Sequence, residues 1–221
     1  MLSARRISCL LCGFLVMGAS SAMAVPITFY FSGVVNQIND PKGELNGLVT
    51  IFSQSKELGT FSGQYTFDSE APNTSPYPDE GIYWSQLGLT LTVGKMPIEA
   101  NPFSILVWNY EVGASGRDLY HIGADSSAIT TLDGFRISDF GPISFRYEDR
   151  NALSSIALPI EPPPTDLPLY QPLSFNIYAV GPNGGSISIH GNVLHIIPEP
   201  SALGLLVAGA LVIKRRIQPV S

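Results

Sequence analysis

Residues 27–35 read Ile-Thr-Phe-Tyr-Phe-Ser-Gly-Val-Val and decide the fold class. Every second residue from Ile27 onward is apolar or glycine, and the residues between them include two hydroxyl side chains and a tyrosine. A period of two is typical of a β-strand with one buried face and one solvated face. The same alternation returns at residues 60–67 and 86–93, so we expect strands rather than helices to build this protein.

Further strand patterns follow at spacings of about 8 to 15 residues, separated by turn sequences such as Asn183-Gly184 and Asp40 to Gly43. These candidate strands are residues 48–52, 103–112, 119–124, 134–138, 143–147, 173–180 and 186–197. About ten short strands without long helical segments between them predict an all-β fold, an antiparallel β-sandwich. Jelly-roll and immunoglobulin-like topologies both remain open. One short helix is expected, at residues 151–158.

The N-terminus has the three parts of a signal peptide, which is expected to be helical and to span residues 1–24. Two arginines precede the apolar residues 7–17, and Ala22 and Ala24 form an Ala-x-Ala cleavage site. An uncleaved anchor is the alternative, but this apolar stretch is too short for a hydrocarbon core of about 30 Å. We therefore expect cleavage before Val25.

The C-terminal segment, residues 198–221, combines a Pro-Glu-Pro motif, a short uncharged apolar run and a basic cluster. The parts are Pro198, Glu199 and Pro200, then residues 201–213, then Lys214, Arg215 and Arg216. Thirteen residues make a helix of about 20 Å, and snorkelling cations with local membrane thinning can compensate for that length. The cations stop the transmembrane helix on the cytoplasmic side, which leaves the rest of the chain outside.

An amphipathic core helix is the alternative for residues 201–213. The run is apolar on all sides, rich in glycine and alanine, and ends in three cations. Such a pattern favours a membrane segment over a helix with one polar face.

On these residues the chain resembles the PEP-CTERM proteins of Gram-negative bacteria. The resemblance covers about 24 residues: the Pro198-Glu199-Pro200 motif, the apolar run and the basic tail. It implies that an exosortase, a membrane enzyme similar to transpeptidases, recognises and cuts the segment. The inner membrane would then be a transient partner, and the product would reach the cell surface or extracellular polysaccharide.

The composition between the two signals limits the function of the remaining domain, residues 25–197. It has seven basic and 17 acidic side chains, a net charge of −10, which disfavours nucleic acid as a partner. Both cysteines, Cys9 and Cys12, lie in the signal peptide, so the domain has neither a disulfide nor a thiol nucleophile. Its 173 residues are enough for one domain stabilised by packing alone.

Catalytic and metal sites are not indicated by the sequence. His190 and His195 are five residues apart on one predicted strand, so they are expected on opposite faces unless a bulge at Gly191 intervenes. Asp118 and His121 are likewise an odd number of residues apart. The sequence contains no Gly-x-Ser-x-Gly elbow, and its many acids do not single out a catalytic pair.

Calcium and sugar are the two ligands that the sequence leaves open. A calcium site is conceivable on the loop after residue 67, although the loop does not match an EF-hand. Its oxygen-bearing residues are Asp68, Ser69, Glu70, Asn73, Asp79 and Glu80. Trp108 shares a strand face with Leu106, Tyr110 and Val112, so we expect it in the core. An exposed Trp84 or Trp108 would instead suit a carbohydrate-binding surface.

The sequence thus predicts an exported, non-enzymatic cell-surface or extracellular-matrix protein without a cofactor. A carbohydrate-binding module and a secreted hydrolase are the alternatives.

Overall fold

The computed structural model describes residues 25–45, 59–109, 117–131, 134–149, 152–170 and 174–199. These residues form twelve strands, and the only helical element among them is a 3₁₀ turn at Ser126–Ala128. In chain order the strands are β1 (Pro26–Asn39), β2 (Gly59–Asp68), β3 (Glu80–Ser85), β4 (Leu89–Val93), β5 (Met96–Ala100), β6 (Phe103–Trp108), β7 (Leu119–Gly123), β8 (Ile129–Thr130), β9 (Arg136–Gly141), β10 (Ile143–Arg146), β11 (Phe175–Val180) and β12 (Ser186–Pro198).

The strands form two antiparallel sheets. The large sheet has eight strands in the order β8-β5-β4-β2-β1-β12-β11-β9, and the small sheet has four in the order β10-β7-β6-β3. The two longest strands, β1 and β12, lie side by side in the middle of the large sheet. The first and last described strands of the chain therefore complete the sheet together.

One hydrophobic core contains buried residues of both sheets. Phe61 of β2 stacks on Phe175 of β11, with ring centroids 3.9 Å apart. Between the sheets, the Tyr65 ring meets the edge of Phe103 at 6.2 Å, and the Tyr65 and Tyr120 hydroxyls are 3.0 Å apart. Aromatic side chains bury large apolar areas, so these contacts stabilise the packing of the core.

The alternation predicted for the first strands is confirmed. Phe29, Phe31 and Val35 of β1 are buried, while Tyr30 is 37 % exposed. Asn183-Gly184 also forms the predicted hairpin between β11 and β12, with Gly184 at φ 73°. The turn from residue 40 to 43 is present as well, closed by a hydrogen bond from the Gly43 amide to the Asp40 carbonyl.

The helix predicted at residues 151–158 is wrong for its described part, which is a series of bends. The Leu153 amide donates to the Asp118 carboxylate at 2.9 Å, and the Asn109 side chain donates to the Leu153 carbonyl at 3.0 Å. Side chains from elsewhere thus bond to both backbone groups of Leu153, including the carbonyl that a helix would pair internally. The strand predicted at residues 48–52 lies outside the described residues.

Trp108 is not a core residue, which corrects the expectation for its strand face. Phe103, Ile105 and Val107 point into the core, and Leu106 and Trp108 lie half-buried on the other face of the small sheet. The residues predicted to share that face further along, Tyr110 and Val112, lie outside the described range. The pattern was ambiguous because both faces of β6 carry apolar residues.

Two bulges shift the pairing of the central strands. Ser32 lies opposite His195, but the next residue, Gly33, lies opposite Val193, so Leu194 is the extra residue in β12. A second irregularity lies at Asn36 of β1. A bulge reverses which face the following side chains point to, so Ile196 is buried after it whereas even-numbered residues before it point outward.

We predict that Gly33→Ala lowers the free energy of unfolding by about 1–3 kcal/mol or more. A Cβ atom at Gly33 would collide with the carbonyl oxygen of Asn192 and with the Phe61 ring. Urea unfolding of the variant measures the loss. Ser32→Ala, one residue away on the outer face, should change stability by no more than about 0.5 kcal/mol. Equal stability of the two variants would contradict the close packing of β1 on β12.

Candidate functional site

The two ends of the described domain lie side by side at one end of the large sheet. β1 begins where β12 ends, with Phe29 opposite Pro198. The Glu199 amide donates to the Thr28 carbonyl at 2.9 Å, which continues the pairing into the Pro-Glu-Pro motif. Val25 exchanges hydrogen bonds with Ser69 nearby. The chain therefore enters and leaves the domain at the same place.

Three of the predicted processing residues are described, and all three are exposed: Val25, Pro198 and Glu199. The remainder, namely Ala22, Ala24, Pro200, Lys214, Arg215 and Arg216, lie outside the described residues, as does the predicted helix 201–213. Within the described part of the chain, no helix has the length and hydropathy needed to cross a membrane.

The acidic loop between β2 and β3 uses its oxygens to shape its own backbone. Asp68 accepts a hydrogen bond from the Glu70 amide at 2.8 Å, and Asn73 accepts from the amides of Ser75 and Ile82 at 2.9 Å each. Such side-chain to backbone bonds are typical of turns. Among the described residues, no three His, Cys, Asp or Glu side chains lie together as a group that could hold a metal ion.

The tryptophans lie on the outer face of the small sheet, in different surroundings. The Trp108 indole donates to the Glu80 carboxylate at 2.6 Å, and the Ser75 hydroxyl donates to the other oxygen of Glu80 at 2.5 Å. Trp108 and Glu80 line a depression of about 260 Å³ together with Tyr77 and Asp79. Trp84 is 44 % exposed, on the opposite face of β3 from the buried Tyr83, as its adjacent position predicts.

The three histidines lie at separate positions in the two sheets. His121 is on the outer face of the small sheet, and Asp118 is buried at the start of the same strand. His190 and His195 share the outer face of the large sheet, so the expectation of opposite faces is wrong. The reason is the bulge at Leu194, which reverses the strand face at a different residue from the Gly191 considered above.

A buried group of hydroxyls lies below the segment of residues 152–164. The Tyr65 and Tyr120 hydroxyls share a hydrogen bond of 3.0 Å, and Tyr147 donates to the Pro164 carbonyl at 2.9 Å. Burial raises the pKa of all three phenols, so they stay protonated at neutral pH. Tyr120 also lines a cavity of about 460 Å³ whose other walls are mainly apolar. The hydroxyls serve to satisfy one another inside the core.

The outer face of the large sheet contains a depression of about 410 Å³, which we call the outer depression. It spans four adjacent strands, β12, β1, β2 and β4, and no Asp, Glu, Lys or Arg is among the residues that line it. The side chains around it are Tyr30, Ser32, Ser62, Gln64, Thr90, Thr92, His195 and Ile197. Sequence reasoning missed this site because the bulge that adds His195 and Ile197 leaves no clear pattern in the sequence.

The pairing register aligns these side chains in two neighbouring rows across the strands. One row runs Ile197, Tyr30, Gln64 and Thr90, and the other runs His195, Ser32, Ser62 and Thr92. With strands about 4.8 Å apart, each row is about 14 Å long. The rows give a continuous strip of hydroxyl, amide and imidazole groups bordered by one aromatic ring.

Comparison of the chain with protein-family models, with curated proteins and with solved structures gives no match.

We predict that His121 makes the protein lose stability between pH 7.5 and 5.5. Burial lowers the pKa of His121, Asp139 opposes this shift and Arg146 adds to it. The unfolded chain therefore takes up a proton more readily, and stability falls as the pH drops through about 6.5. Thermal unfolding across this range should show a smaller fall for His121→Gln than for the wild type. Identical slopes for the two proteins would contradict this origin of the pH dependence.

Proposed function

We propose that this chain is an exported, non-enzymatic protein of the cell surface or extracellular matrix. A PEP-CTERM sorting signal at its C-terminus is recognised through Pro198, Glu199 and Pro200 and cut by an exosortase. Residues 201–213 hold the precursor in the inner membrane, and Lys214 to Arg216 stop transfer.

The observation that carries this proposal is where the motif lies relative to the folded domain. β12 ends at Pro198, and both Pro198 and Glu199 are exposed. Ile196, the last core residue among those that the structure describes, lies two residues before the motif. A cut at or beyond the motif would therefore leave every described core residue in the released domain.

The position of the two termini also supports a tethered precursor. Val25 and Glu199 leave the same end of neighbouring strands, so a signal peptide and a C-terminal membrane helix would hold one end of the domain towards the bilayer. Tethers at opposite ends of a strand of 13 residues would lie about 40 Å apart and would force the domain to lie along the membrane.

The pairing of β12 with β1 limits how an enzyme can reach the motif. The Glu199 amide is bonded to Thr28, whereas Pro198 has no amide hydrogen to contribute. The backbone hydrogen bond from Glu199 to Thr28 therefore has to break before Glu199 can leave the sheet. An enzyme that binds extended backbone could take up the motif by replacing that bond with one of its own.

We propose a β-sandwich for the domain itself. The contacts of Tyr65 with Phe103 and with Tyr120 join the two sheets through their inner faces, which supports this architecture. A stable sandwich without disulfides suits a protein that has to persist outside the cell with no thiol chemistry. The dispersed histidines support a structural or binding role over a hydrolytic one.

The test is the processing of a Pro198→Ala/Pro200→Ala variant in a Gram-negative host that expresses an exosortase. The variant should keep its C-terminal segment and remain in the membrane fraction, whereas the wild type should be released with a lower intact mass. Pro97→Ala, at an exposed proline of β5, is the matched control and should be processed normally. Equal processing of the double variant, or cleavage of the wild type in a host without exosortase, would refute the assignment.

A further inference from the structure

We propose that the outer depression binds a neutral polysaccharide chain. This inference concerns the folded domain alone and does not depend on the sorting signal. Its site differs from the tryptophans that the sequence suggested for sugar binding.

The polar side chains of the outer depression are not hydrogen-bonded to one another or to other described residues. Ser32, Ser62, Gln64, Thr90, Thr92 and His195 make no side-chain hydrogen bond with the described residues. Elsewhere on the same face such groups pair with each other: the Thr28 and Thr66 hydroxyls are 3.0 Å apart, and His190 bonds to Asn176 at 2.8 Å. The depression therefore keeps six hydrogen-bonding groups available on one concave surface.

The Tyr30 ring lies at the edge of the outer depression. Tyr30 is 37 % exposed and lies in the same row as Gln64, with Ile197 on its other side. A tyrosine next to hydroxyl and amide groups offers an apolar face and a polar edge, which is the combination that a sugar ring requires. A purely apolar partner would leave the surrounding hydroxyls without hydrogen bonds on binding.

The outer depression differs in charge from the rest of the domain. The domain between the two predicted signals carries a net charge of −10, yet no carboxylate lines the outer depression. Glu99, opposite Thr90 on β5, comes next in the same row. An acidic protein repels an anionic polymer, and a lining without lysine or arginine offers no ammonium or guanidinium group to pair with one. The ligand that fits both facts is an uncharged glycan.

The shape of the outer depression favours a chain over a single sugar. The two rows cross four strands and form an open strip about 14 Å long, with no end wall formed by a loop among the lining residues. A polymer can lie across the strands and continue past both edges. A monosaccharide would leave most of the strip unfilled.

The experiment is native electrophoresis of the purified exported protein in gels containing polysaccharide. The full chain has a net charge of −6 and residues 25–197 alone one of −10, so the protein migrates towards the anode with or without its terminal segments. The gels contain hydroxyethylcellulose, a galactomannan or dextran as neutral probes, and alginate as the anionic one. If the protein is extracted with a detergent, that detergent must lack a sugar headgroup, because a glycosidic detergent would compete for the outer depression.

We expect at least one neutral polysaccharide to retard the protein and alginate not to. Tyr30→Ala should weaken the affinity by about tenfold or more, and Gln64→Ala by a smaller factor. Tyr178→Ala is the matched control, because Tyr178 is 41 % exposed on the same face but lies outside the outer depression. Its affinity should stay within about twofold of the wild type.

Three results would overturn the proposal. The first is that no neutral polysaccharide retards the protein. The second is that Tyr178→Ala or Trp84→Ala reduces binding as much as Tyr30→Ala does. The third is that the outer depression proves to be a contact with a second copy of the chain, shown by a change of mass in solution for Tyr30→Ala without any sugar binding. Thermal unfolding is the control that each variant is folded. None of the three results concerns C-terminal processing, so the sorting proposal is tested separately.

Discussion

The pairing of β1 with β12 is the interaction on which the rest of the structure depends. It runs from Phe29 opposite Pro198 to Asn39 opposite Ser188 and joins the two ends of the domain in the middle of the large sheet. The contacts of highest sequence separation are thus also the central ones, and the sheet is continuous only when the C-terminal strand is in place. The same pairing brings Val25 and Glu199 to one end of the sheet and places the proposed sorting motif at the end of β12.

The bulge at Leu194 gives this strand pair its functional character. Without the extra residue, His195 and Ile197 would point into the core and Ile196 would be exposed. With it, Ile196 is buried and the other two complete the outer depression beside Tyr30. One inserted residue therefore serves packing and surface chemistry together, which is a common use of bulges in sheets.

The parts of the fold that the sequence predicted are those set by local pattern. The alternation around Phe29 and the Asn183-Gly184 turn depend on side chains a few residues apart, so the all-β class and the hairpin followed from them. Trp108, the bends at 152–158 and the face of His195 depend on partners more than twenty residues away. Glu80 binds the indole, Asp118 captures the Leu153 amide, and the β1 register fixes the bulge. None of these pairings has a signature in the sequence.

The buried tyrosines and Tyr30 play different parts because their hydrogen-bonding surroundings differ. In the core, the tyrosine hydroxyls are satisfied by one another or by backbone carbonyls, so Tyr65, Tyr120 and Tyr147 add stability and leave no hydrogen-bonding capacity. Tyr30 lies among hydroxyls and amides that have no partner in the described protein, and it therefore retains both its ring face and its neighbours for a ligand. An aromatic residue indicates a binding surface when the polar groups around it are unpaired, and this condition distinguishes Tyr30 from the larger but hydrogen-bonded Trp108.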